Sequence, residues 1–228
     1  DQTAAIAYAL DDPLVWRIGR QVFRLGRAPV HAGIYPVEPY SPGKIPVLFV
    51  HGTMSSPFLW ADMWNSLRAD PEIRRRYQFW FYFYESSPPL VVSATHLRES
   101  IVETVADMDP FGNDPALQQM VVVGHSFGGA IVVHALSDLI TERVTNRADD
   151  ERARVFADGV LVLNPAIEAN QALPFVEAAL QRPYARDQLP LFISISSDAD
   201  AATHYAFPAG QTIGLAMWRQ ADLQRSYY

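Results

Sequence analysis

Short apolar runs recur along the chain: PVLFV (46–50), FWFYFY (79–84), MVVV (120–123), GVLVL (159–163) and PLFISI (190–195). Each is rich in β-branched or aromatic residues and lacks polar alternation, so each reads as a strand covered on both faces. Segments of helical period lie between them, at 58–69, 93–107, 128–143 and 171–181. Strands that need cover on both sides, alternating with helices, leave one economical solution: a mostly parallel central sheet flanked by helices. A chain of 228 residues fits a single core that buries roughly 70 to 75% of the unfolded surface. We therefore expect an α/β fold in one domain, 1–228. Its first 44 residues are less regular: LVWRIGRQVFRLG suits a helix, and GIYPVEPYSPGK, with three prolines, suits an edge strand or extended arm.

Composition narrows the partners. The net charge is −7 with the acidic residues dispersed, so no nucleic-acid footprint or polybasic membrane patch is present. Arg74, Arg75 and Arg76 form one basic cluster, read as the solvated end of a helix, where cations are favoured. No apolar run approaches the roughly 18 to 20 residues that span a bilayer, and the start lacks a signal-peptide pattern. The chain opens on Asp1 without Met, as a processed or trimmed product would. The absence of cysteine excludes a disulfide framework and thiolate metal sites, and suits a cytoplasmic or an exported protein equally. DPFGNDPAL (109–117) lacks the ligand spacing of a calcium loop and reads as a connection into the 120 strand.

The stretch VVVGHSFGGA (121–130) carries the chemistry. Gly124-His125-Ser126-Phe127-Gly128 fits G-x-S-x-G, in which a sharp strand-to-helix turn displays a serine at the sheet's carboxyl edge. The glycines leave room for a strained backbone and for close helix–strand approach. The helix beginning there points free N–H groups and the positive end of its dipole at the serine, where an oxyanion would form. His125 adjoins the serine on so tight a turn that its side chain should point away, in a packing role. Upstream, Val50-His51-Gly52-Thr53 closes the 46–50 strand, and a loop there lies beside the elbow. The backbone N–H groups of Thr53 and Phe127 are the expected oxyanion hole, each worth roughly 3 to 4 kcal/mol in the transition state. His51 reads as a loop residue bonded to backbone, because in this fold class the base comes last in chain order.

On these residues the chain resembles the α/β-hydrolase superfamily of serine esterases and lipases. IPVLFVHGTMSSP, RYQFWFYFYESS, LRES, DPALQQMVVVGHSFGG, LNPAIEA and SSDADAATHYAFPAG are similar to segments of a largely uncharacterised bacterial group of that superfamily. The resemblance runs from about residue 45 to 215 and implies the α/β-hydrolase fold, a serine mechanism and acyl-ester chemistry. The order Ser, acid, His then expects an acid after the 190–195 strand, where Asp198 and Asp200 both stand. The D-x-A-T-x-x-A-F-P portion of the resemblance falls on Asp200, which makes it the preferred acid, with Asp198 a helix cap. Glu168 is the weaker alternative.

The base departs from the family's pattern. A serine needs an imidazole to take its proton, yet the only histidine after Asp200 is His204, four residues on. Residues 208–228 read as a helix with Pro208 in its first turn, and no strand-like run follows. The last strand and the histidine loop are thus missing together, as they would be if the chain stops short of its C-terminal strand and the base lies beyond Tyr228. Without an imidazole, the oxyanion hole and binding leave roughly 10³ to 10⁴ over water.

No cofactor fingerprint appears: HGTMSSP has neither the glycine spacing nor the lysine of a phosphate loop, and no H-E-x-x-H set occurs. The aromatics of FWFYFYE, with Trp60 and Trp64, fit core packing better than an acyl pocket. Residues 165–190 suit either a lid or a connector helix. The expected function is a serine hydrolase cutting small-molecule or lipid carboxylic esters through Ser126. An acyltransferase on the same fold and a non-catalytic binding module are the alternatives.

Overall fold

Residues on both faces of the central strands are apolar, and both faces are covered. The computed structural model describes residues 31–53, 55–85, 88–145, 157–181, 184, 186, 188–197 and 199. Six strands form one sheet: β1 (Gly33–Pro36), β2 (Ile45–Val50), β3 (Tyr77–Phe83), β4 (Met120–His125), β5 (Ala157–Leu163) and β6 (Phe192–Ile195), in the order β1-β3-β2-β4-β5-β6. β1 runs antiparallel to β3, and every other pairing is parallel. The proline-rich arm thus supplies an edge strand, where a residue without N–H does least harm.

Helices α1 (Ala61–Ala69), α2 (Pro71–Arg76), α3 (Leu90–Met108), α4 (Phe127–Thr145) and α5 (Ala169–Leu180) connect the strands. The side chain of Asp70 caps α2 by accepting from the amides of Glu72 and Ile73, with Pro71 at the first helical position. Its last turn carries Arg74, Arg75 and Arg76, all exposed, as expected of a solvated helix end. Residues 109–114 form the expected loop, followed by a 3₁₀ turn, Pro115–Gln119, that the Asp114 carboxylate caps.

The period of two along a strand sends alternate residues to opposite layers. Leu48, Val50, Trp80, Tyr82 and Val122 pack with Leu97 and Ile101 of α3, with Ile131 and Leu136 of α4 and with Phe175 of α5. On the other face Val47, Phe49, Phe79 and Val123 meet Trp64 of α1 and Trp60 of the turn before it. The aromatic run and both tryptophans are core, as their spacing indicates. Among the described residues no helix is long and apolar enough to cross a membrane.

Parallel strands carry their carboxyl ends to one edge of the sheet. The loops after β2, β4, β5 and β6 therefore gather there, and that edge is where the serine lies.

Candidate active site

β4 ends at His125 and α4 begins at Phe127, leaving Ser126 alone to turn the chain. It does so at φ 54°, in the left-handed region that a side chain with a Cβ enters only under constraint. The constraint is visible. The Ser126 N–H donates to the carbonyl of Leu163 at the end of β5, at 3.0 Å, and the Ser126 carbonyl accepts from Ala130 (3.3 Å) and Ala166 (3.0 Å). Ser126 itself is half-buried, so solvent reaches it.

Two glycines make this turn possible. A Cβ on Gly124 would lie 2.8 Å from Gly129 Cα, and one on Gly128 would lie 2.3 Å from the His51 carbonyl oxygen. The first turn of α4 thus rests directly on the backbone leaving β2. Gly52 completes the contact from the other side, since a Cβ there would stand 3.1 Å from Ser126 Cβ. The half-buried Thr53 comes next in this loop, and Phe127, packed against the core, opens α4. The Gly52 loop that leads to Thr53 and the first turn of α4, which Phe127 opens, therefore meet at Ser126.

His51 is 1% exposed. Its Nδ1 lies 2.8 Å from the Gly52 carbonyl oxygen, its ring stacks on Tyr84 at 4.4 Å, and the Tyr84 hydroxyl donates to the His51 carbonyl at 2.7 Å. Burial pushes the imidazole down to about 4, against the raising effect of its bond to Gly52. His51 is therefore neutral at ordinary pH. His125 sets its half-buried ring edge-on to Trp60, at 6.2 Å.

The chain leaving β6 is tied to the same edge. Asn164 follows β5 at φ 43°. Its N–H donates to the Ile195 carbonyl at 2.7 Å, and its side-chain oxygen accepts from the Ser197 amide at 2.7 Å. Sequence reasoning passed over Asn164, although an Asn-Pro pair closing a strand is a turn signal and asparagine tolerates this backbone region. Asp198, Asp200 and His204 lie outside the described residues. Glu168 is exposed at the start of α5, where its carboxylate accepts from Asn170 at 3.2 Å. A cavity of about 390 Å³, lined by Ile140 and Val144 of α4, Phe175 and Leu180 of α5, and Leu189 and Phe192 among others, has no residue of the Ser126 turn in its lining.

The model of the alpha/beta hydrolase family matches residues 47–226. A search of curated proteins returned no significant match. Among solved structures, a Bacillus licheniformis lipase, BlEst2 in mature form, is 19% identical, with a TM-score of 0.40 over 58% of this chain and 46% of its own. Thermogutta terrifontis esterase 2, solved as its adduct with tabun, is 15% identical with a TM-score of 0.42, covering 83% of this chain and 88% of its own. The Francisella virulence factor BioJ is 15% identical with a TM-score of 0.40, over 95% of this chain and 85% of its own. The chain spans less than half the length of the first of these.

Proposed function

This chain belongs to the alpha/beta hydrolase family, and from that premise we propose that it is a serine hydrolase that cleaves carboxylic esters through an acyl-enzyme on Ser126. The observation that carries the reading is the strained turn itself. Ser126 is held at φ 54° between β4 and α4, at the N-terminus of a 19-residue helix and against the Gly52 loop. Stored backbone strain at a partly exposed serine suits a nucleophile held ready for attack.

In the proposed reaction Ser126 Oγ attacks the ester carbonyl carbon as a histidine takes its proton. The N–H groups of Thr53 and Phe127 hold the oxyanion, and Asp200 orients the histidine. The C–O bond to the alcohol then breaks, the histidine returns the proton to the departing oxygen, and water repeats the sequence to release the acid. The substrate is a small-molecule or lipid ester, and no cofactor enters the reaction.

The test uses p-nitrophenyl esters of graded chain length together with a fluorophosphonate probe. In a chain that includes the catalytic histidine we expect turnover and rapid labelling at Ser126, both abolished by Ser126→Ala, and a fall of about 10⁴-fold in kcat for Asp200→Asn. His204→Ala shows whether that histidine is the proton acceptor. Labelling no faster than that of a free serine would overturn the proposal in favour of a binding module. Ester product formed from added alcohol in place of acid would identify an acyltransferase.

A further inference from the structure

The Gly52 carbonyl and the Thr53 N–H are the two ends of one peptide group, and a trans peptide points them to opposite sides. Whatever grips the oxygen therefore aims the hydrogen. Here the grip is the ring of His51, with Nδ1 2.8 Å from the Gly52 oxygen. A carbonyl oxygen can only accept, so Nδ1 carries the hydrogen and Nε2 is left with the lone pair. Nε2 is buried without a hydrogen-bond partner among the described residues, which fits the neutral ring.

The preceding peptide is held in the same manner. The Tyr84 hydroxyl donates to the His51 carbonyl at 2.7 Å, while the Tyr84 ring stacks beneath the imidazole at 4.4 Å with 19° between planes. Two successive peptide oxygens, those of His51 and Gly52, are thus fixed by a stacked pair of rings. The need for such fixing is plain, since glycine is the residue whose flanking peptides reorient most freely, and this one lies where a Cβ would be 3.1 Å from Ser126 Cβ. A hydrogen bond to the oxygen also polarises the peptide and strengthens its N–H as a donor.

We propose that His51 is a positioning residue for the oxyanion hole: its ring N–H holds the Gly52–Thr53 peptide so that the Thr53 N–H faces the crevice over Ser126. The inference rests on the reading of Ser126 as the nucleophile. His51 touches no reacting atom and moves no proton. Its effect passes through the peptide.

The test compares wild type with His51→Phe, which keeps an aromatic ring on Tyr84 but has no donor, and His51→Asn, whose side-chain amide restores an N–H near the place of Nδ1. Hydrolysis of p-nitrophenyl butyrate, the rate of fluorophosphonate labelling at Ser126, and thermal unfolding are measured for each. We expect His51→Phe to lower kcat and the labelling rate by about 10²-fold with KM within about two-fold, and His51→Asn to recover about ten-fold of that loss. A folded His51→Phe with wild-type kcat, or a folded His51→Asn no better than the phenylalanine variant, overturns the inference. Should either variant fail to fold, ¹⁵N NMR of the wild-type ring decides. Hydrogen on Nδ1 with bare Nε2 supports the proposal, and the opposite tautomer overturns it, because it has nothing to donate to Gly52. Wild type that does not label at Ser126 removes the nucleophile reading and this inference together, whereas labelled wild type with an indifferent His51→Phe removes the inference alone.

Discussion

A methyl group at position 128 would meet the His51 oxygen at 2.3 Å and the Val50 oxygen at 2.5 Å, and both atoms are main chain that cannot swing aside. Gly128→Ala must therefore lift the start of α4 off β2. We expect it to cost about 1 to 3 kcal/mol in urea unfolding, as overpacking does, and to slow fluorophosphonate labelling of Ser126 as well. The same glycines make the elbow readable from sequence, because a serine spaced between them after a valine run has few other uses. The neighbouring histidines were readable as a backbone-bonded loop residue, His51, and a packing residue, His125, but their particular partners were not. That His51 grips the next peptide depends on the ring of Tyr84, 33 positions away, and no local pattern encodes that distance.

Among the elements, α1 matters most to the face of the sheet opposite α3. Trp64 on this helix is 1% exposed and belongs to the cluster around Phe49, Phe79 and Val123. Trp64→Ala should cost about 3 to 5 kcal/mol of stability by transfer and cavity terms together, measured by chemical denaturation. Strand and helix identities were legible because buried parallel strands are continuous apolar runs and the helices between them keep a distinct period. Boundaries were less so. β3 starts at Tyr77 and β6 at Phe192, where the runs suggested 79 and 190, because pairing with neighbours rather than composition sets the ends. Position 174 illustrates the same point, since its proline sits inside α5, where the packing of Phe175 into the core outweighs the lost hydrogen bond.

At the scale of the whole molecule the buried imidazole links folding to pH. His51 falls from 6.5 to about 4 on folding, chiefly through burial. The unfolded chain therefore binds the extra proton first, and the stability tied to the neutral ring, about 3 kcal/mol, is fully present above pH 6.5 and lost as pH falls toward 4. Asp114 adds to the loss in stronger acid. Burial acts to raise its pKa, yet the Tyr40 hydroxyl and the amides of Gly43 and Ala116 together hold it below the ordinary carboxylate value. Unfolding free energy measured from pH 7 to pH 4 should decline steadily in wild type and much less in His51→Phe. A parallel decline in both proteins would show that other groups carry the effect.

The oxygen of Ser126 that belongs to the main chain accepts a hydrogen from Ala166, three residues before α5 begins. Through that tether, any displacement of the 165–168 stretch tugs on the residue whose hydroxyl is proposed to do the chemistry. A loop graft or insertion there is consequently a change to the reaction centre, however distant it looks on a sequence ruler.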